Sequence, residues 1–251
     1  MVVLGYVLAL LVGLSLGLLG GGGSILTVPI LHYIMGMPTQ EAIASSLVIV
    51  AITSLIALLP HWRSQQVSWS IGLPFGLASM AGAFLGGWVA QFIPDFVLMS
   101  LFAVIMIVTS LNMIRGKRPT DNGEPQRPKI WLSLLIGAGV GAVTGLVGAG
   151  GGFLIVPALV IFAGLSMHLA IGTSLLTIVL KNMAALGGHI VAVSINWPVT
   201  LAFTILAILG SVFGARLAAK ISAQRLQTGF GWFVLGMGVF VITGELAPMF
   251  L

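Results

Sequence analysis

Residues 42–59, 70–93 and 96–114 carry no charged side chain. Each run approaches or exceeds the ~20 apolar residues an α-helix needs to cross a bilayer. None alternates with the period of two that a barrel strand would show. With 59% hydrophobic and only 6% charged residues, and a mean hydropathy of +1.18, the chain lacks the supply for a water-facing surface; soluble domains carry about 25% charged residues. The sequence therefore describes an all-α polytopic membrane protein.

Ten Lys and Arg against five Asp and Glu give a formal net charge of +5. In a membrane protein such an excess reports topology, and no basic run interleaved with aromatics suggests nucleic acid. The absence of cysteine excludes disulfides, thiolate metal sites and cysteine catalysis. No His cluster has metal-ligand spacing, so neither a metal nor another cofactor is expected. The opening apolar segment lacks a basic n-region and a cleavage-site pattern, and is expected to stay in place rather than act as a removable signal.

Displaced by 128 positions, residues 13–116 align without a gap on 141–244. The matches include Gly17/Gly145, Gly20/Gly148, Gly22/Gly150, Gly23/Gly151, Pro29/Pro157, Gly36/Gly164, Ser46/Ser174, His61/His189, Trp69/Trp197, Gly82/Gly210 and Gly86/Gly214. Coincident Pro, His and Trp in one register point to an internal duplication. Between the copies, "RGKRPTDNGEPQRPK" at 115–129 holds half of the Lys and Arg. The domain reading is a first transmembrane repeat at 1–116, a cytoplasmic linker at 117–129 and a second repeat at 130–251.

Each repeat reads as five helical pieces: 2–19, 25–35, 41–60, 70–92 and 96–115, then 130–147, 153–164, 168–187, 198–219 and 226–244. Loop charge sets their orientation. Arg63 follows the third piece of the first repeat, where the second has the uncharged "GGHIVAVSINW". Arg216, Lys220 and Arg225 follow the fourth piece of the second, where the first has only Asp95. Equivalent loops thus carry opposite biases. The positive-inside rule then gives two inverted repeats, with cytoplasmic loops at 61–69, 115–129 and 216–225 and both termini external.

Inversion requires an odd number of crossings per repeat, so the first two pieces together must return to their starting side. The second piece of each repeat spans only about 17 Å, too short for a bilayer. Each repeat is therefore expected to open with a Gly-broken short-helix hairpin, at "GLLGGGGSILTVP" (17–29) and "GLVGAGGGFLIVP" (145–157). Irregular backbone at membrane depth survives only against protein or water. Half-helices beginning near Ser24 and Gly152 would aim unpaired N–H groups and the positive end of the helix dipole inward, a suitable place for an anion. Close helix packing is the competing account of the glycines, and it suffices for Gly13/Gly17 and Gly82/Gly86.

The expected substrate-binding set is Gly22, Gly23, Ser24, Ser45, Ser46, Gly150, Gly151, Gly152, Thr173, Ser174, Lys181 and Asn182. Thr53, Ser54 and Thr177 add hydroxyls to the same third pieces. Lys181 lies deep in its segment with no acid nearby in sequence; it either faces the cavity or snorkels outward. His61 and His189 end the third pieces, where they could serve gating or proton movement or simply lie at the interface. All five acids (Glu41, Asp95, Asp121, Glu124 and Glu245) fall in loops or at segment ends, which favours an anionic cargo over a cationic one.

"GLLGGGGSILTVPIL" and "GLVGAGGGFLIVPAL" resemble the paired glycine and V-P-x-L motifs of the TauE/SafE family of sulfite and organosulfur-anion exporters. "AIASSL" and "AIGTSL" resemble its A-x-G-T-S-L segments, with Ala44 and Ser45 replacing Gly and Thr in the first. "HWRSQQVSW" and "HIVAVSINW" resemble its segment ending in a polar residue and Trp, with Ser68 and Asn196 where an Asp is expected. The resemblance implies a non-enzymatic export permease for sulfite, sulfonates or related anions in a bacterial inner membrane. Its expected partners are the anion and membrane lipid, with a homodimer left open. An uncoupled anion channel is the alternative function. An intramembrane hydrolase using Ser24 and a His base is weaker, because Gly152 occupies the equivalent place in the second copy.

Overall fold

The computed structural model describes residues 2–250 apart from 22, 91, 94, 116–129, 148–151 and 190–194. The described residues form ten α-helices: α1 (Val2–Leu19), α2 (Ser24–Pro29), α3 (Thr39–Arg63), α4 (Trp69–Ala90), α5 (Asp95–Arg115), α6 (Ile130–Val147), α7 (Gly152–Ile161), α8 (Met167–His189), α9 (Trp197–Ala218) and α10 (Ala223–Phe250). A π-helical turn, Ile30–Ile34, continues α2. Four helical stretches among the described residues are long and apolar enough to span a membrane: Glu41–Arg63, Trp69–Gly86, Met167–Leu186 and Trp197–Ala218. The molecule is a multi-pass membrane protein.

The short second helix of each repeat is bounded by backbone chemistry rather than by polarity. In α2, Pro29 cannot donate to the preceding turn; the helix then widens, and the Met35 amide bonds the Ile30 carbonyl at 3.1 Å. Gly36 stops it in the left-handed region (φ 73°), with Met37 N–H on Leu31 O at 3.0 Å. Gly164 does the same after α7 (φ 65°), with Leu165 N–H on Leu159 O at 3.1 Å. These are left-handed glycine caps at equivalent places in the two copies, each with an amide reaching six residues back. The expected piece 153–164 is accordingly shorter as a helix, because its last three residues form the cap.

Packing is exchanged between the repeats. The most extensive helix pairs are α4 with α6 and α1 with α9, followed by α5 with α10 and α3 with α8. Gly13 lies against the Ala207 carbonyl and Gly17 against that of Ser211, so α1 and α9 run in the same direction. Gly141 meets Ser79 in the same way, and Gly137 meets Phe75. The 128-residue displacement carries the contact Gly13–Ala207 onto Gly141–Ser79. It likewise carries the contacts of Gly210 with Leu10 and Leu14 onto those of Gly82 with Ala138 and Ala142. In each case a side chain on the glycine would strike the partner's backbone, so small residues set the helix separation. α3 also runs beside α9 in the same direction, with Ser45 against Thr200. α4 runs beside α8, with Gly72 against Thr173 and Gly76 against Thr177.

Large apolar side chains on the outside include Phe84, Leu85, Trp88, Phe213 and Trp232, as a lipid-facing surface requires. The interior carries an unusual polar content. Ser45, Ser46, Thr53, Ser54, Thr173, Ser174, Thr177, Lys181 and Asn182 are all buried.

Candidate functional site

The two glycine-rich motifs meet at Gly152. A Cβ built on Gly152, the first residue of α7, would stand 2.7 Å from Ser24 Oγ, 2.9 Å from Ile178 Cδ1 and 3.3 Å from the Gly21 carbonyl oxygen. The first motif thus touches the start of α7 directly, and a side chain at 152 would require Ser24 and Ile178 to shift. Gly22, Gly150 and Gly151 lie outside the described residues.

The first turn is held from two sides. Gly20 adopts φ 70°, a conformation costly for a residue with a Cβ. Its carbonyl accepts the Ser174 hydroxyl at 2.6 Å, which ties the first repeat's turn to the second repeat's α8. Ser174 Oγ also lies 2.7 Å from its own helix at the Ile171 carbonyl. Within the turn, Ser24 Oγ donates to Gly21 O at 2.8 Å, and Thr27 Oγ1 donates to Gly23 O at 3.2 Å. Gly23 packs against Leu16 and the Val12 carbonyl, folding the turn back onto α1.

Lys181 does not reach outward. It is 8% exposed, and its ammonium donates to Thr144 Oγ1 at 2.7 Å. Thr144 stands on α6 just before the second glycine turn, so the lysine is drawn toward that turn. Among the described residues it is the one buried lysine or arginine. The next residue, Asn182, is 2% exposed, and its Oδ1 has no hydrogen-bond partner. On α3, Thr53 Oγ1 and Ser54 Oγ are buried and equally unpartnered. Under the 128-residue displacement, Thr53 corresponds to Lys181 and Ser54 to Asn182. Buried polar atoms without partners are uncommon and costly. They lie on α3 and α8, two helices packed together.

The remaining predicted residues separate into two end contacts. Thr173 Oγ1 accepts the Ser68 amide at 3.0 Å, and the neighbouring Gly172 lies against the Gln66 carbonyl. These contacts hold the loop after α3 on α8. At the opposite end of α3, Thr200 Oγ1 donates to Ser45 Oγ at 3.1 Å, and the Asn196 amide donates to Glu41 Oε1 at 3.0 Å. Ser46 bonds only its own helix, at the Ile43 carbonyl. The structure therefore joins Ser24 with Gly152, and Ser174 with Gly20, ties Lys181 to Thr144 on α6, and places Ser45 and Thr173 at the two end contacts.

His61 is buried at the end of α3, with Nδ1–H donating to Gln66 Oε1 at 2.9 Å and no partner for Nε2 among the described residues. His189 ends α8, and its side chain is outside the described set. His168, for which the sequence suggests no role, donates from Nε2 to the carbonyls of Ala218 (3.3 Å) and Ile221 (3.2 Å). It fastens the start of α8 to the end of α9. The partners Thr144, Thr200 and Gln66 were likewise missed. Of these only Thr144 carried a sequence signal, as a lone hydroxyl one residue before the second glycine motif.

The family model described as "Sulfite exporter TauE/SafE" matches residues 6–241. The chain belongs to the TauE/SafE family. Among relatives of this TauE/SafE protein, a probable membrane transporter protein of Xylella fastidiosa (strain Temecula1) is 34% identical over 95% of this chain and 94% of its own. A probable membrane transporter protein of Bacillus subtilis is 30% identical over 88% of each chain. One from Methanocaldococcus jannaschii is 27% identical over 94% of each. The TauE/SafE chain is thus a membrane transporter, and its relatives are named as transporters rather than as enzymes.

Proposed function

We propose that the protein is a secondary transporter that exports a small organosulfur anion, sulfite or a sulfonate, by alternating access at a central site between two inverted repeats. The observation that carries this reading is the contact of Gly152, which opens α7, with Ser24 and Gly21 of the first glycine motif, together with Lys181 buried and tied to Thr144 near the end of α6. A buried cation favours a negative charge beside it. Hydroxyls and backbone amides of the turns would supply its hydrogen bonds.

The inverted arrangement is supported by helix direction. α3 runs with α9, α8 runs with α4, and α4 turns back from α3 through residues 64–68. Equivalent helices of the two repeats then run oppositely. The loop charges assign residues 61–69, 115–129 and 216–225 to the cytoplasm and both termini to the outside. The two end contacts, Ser68 with Thr173 and Asn196 with Glu41, fit closures at the cytoplasmic and external sides. His61 stands beside the first of them, where its unpartnered nitrogen could accept a proton during opening. The family name is the source of the sulfur-anion assignment.

The test is sulfite counterflow in proteoliposomes. A carrier gives saturable, trans-stimulated flux that Lys181→Met abolishes. Flux that rises without saturation, or full activity in Lys181→Met, would overturn the proposal.

A further inference from the structure

We infer that the site takes a small, singly charged oxyanion in preference to a doubly charged one, with Thr53 and Ser54 as the first repeat's ligands and Thr53 as the position that sets the charge accepted. The inference rests on the transporter reading above. Three observations carry it.

First, Thr53 Oγ1 and Ser54 Oγ are fully buried hydroxyls without partners, as is Asn182 Oδ1 on the facing helix. A hydroxyl on a helix can always fall back on the carbonyl one turn earlier, as Thr177 does on Thr173 at 3.1 Å. Thr53 and Ser54 leave that option unused, so their donors remain free for acceptor oxygens. Second, Thr53 and Lys181 occupy equivalent positions. Lys181 is engaged by Thr144, whose counterpart in the first repeat is Leu16, a buried apolar residue packed at Gly23. The first repeat thus offers a neutral donor where the second offers a charged one. Third, among the described residues Lys181 is the one buried Lys, Arg, Asp or Glu side chain. One negative charge is matched there. A second would enter a medium of low dielectric uncompensated, where unpaired charge is strongly disfavoured.

Methanesulfonate and sulfate make the discriminating pair, being similar in shape and different by one charge. Each is titrated against the melting temperature of purified protein and competed against counterflow. For the natural chain, methanesulfonate should bind at least about tenfold tighter than sulfate, a difference that this assay resolves. Thr53→Lys should move the preference at least about tenfold toward sulfate. Thr53→Val, which keeps shape and removes the hydroxyl, should weaken methanesulfonate about tenfold, and Thr53→Ser should restore it. Equal or tighter binding of sulfate by the natural chain overturns the inference, and so does a Thr53→Val protein that binds as the natural chain does. If neither anion shifts the melting temperature, the inference falls whatever sulfite does. Should Thr53→Lys fail to fold, the valine and serine variants decide alone. Loss of flux in Lys181→Met beside unchanged Thr53 variants would leave the transporter reading standing and remove this one.

Discussion

Thr53 and Lys181 occupy the same place in two copies of one plan, as do Ser54 and Asn182, Glu41 and Leu169, and Ser24 and Gly152. Around these differences the scaffold repeats itself. Gly36 and Gly164 cap the short helices with the same left-handed geometry. Gly13 and Gly141 meet equivalent helices at equivalent points. The comparison separates two kinds of residue. Several positions that let backbones touch are glycine in both halves, Gly13/Gly141, Gly82/Gly210 and Gly86/Gly214, because the same packing occurs twice. Several positions that offer charge or hydrogen bonds have diverged, among them Thr53/Lys181 and Ser54/Asn182, as the proposed single ligand on a common seam would allow.

The harshest way to break this comparison is to enlarge a shared contact. Gly13→Leu should abolish monodisperse folded protein, since the side chain would strike the α9 backbone at Ala207, and Gly141→Leu should fail equally against α4. Gly139→Leu, with nothing within 4 Å of its Cβ position, should purify as the natural chain does. Size-exclusion profiles of detergent extracts read all three. If Gly141→Leu folds normally, the two packing seams are not equivalent.

Next come the divergent residues. Lys181→Met should reduce counterflow at least about 100-fold. Thr144→Val should reduce it about tenfold by releasing the ammonium, in line with roughly 1.5–3 kcal/mol for a hydrogen bond to a charged group. Equal effects of the two would mean that Thr144 does more than position the lysine.

A smaller effect is expected at the end contacts. Gly172→Ala should lower thermal stability by about 1–3 kcal/mol, as overpacking does, because the added methyl meets the Gln66 carbonyl. Its counterpart is already alanine, Ala44, so Ala44→Gly should change little beyond the helix propensity of glycine, about 1 kcal/mol. The smallest change is Glu41→Gln, which keeps an acceptor for the Asn196 amide and should stay near the natural melting temperature. Glu41→Leu, the residue found at position 169, should lose about 1 kcal/mol.

Helix positions were largely legible because glycine, proline and charge punctuate the apolar runs. The expected 41–60 became Thr39–Arg63, since Pro38 just precedes the helix and Pro60 is accommodated within it. Piece 226–244 became Ala223–Phe250, which extends it at both ends. Lys181 was legible as a candidate site residue, but its burial was not, because length alone allows a lysine to reach either the interior or the membrane surface. Least legible was the exchange of α1 and α9, and of α4 and α6, across the repeats. Lipid-facing and protein-facing sides of these helices are equally apolar, so hydrophobicity names no partner. Only the spacing of glycines marked a contact face, and it did not say whose.

The α1–α9 contact also has a history in time. Gly13 is made nearly two hundred residues before Ala207, an interval of about 10–40 s at usual rates of synthesis. During that interval the first helix sits in lipid with its glycine groove unfilled. The membrane makes such waiting tolerable, because a single span keeps its backbone bonded without neighbours. The protein's first segment is therefore among the last to find its place, and its companion comes from the copy made second.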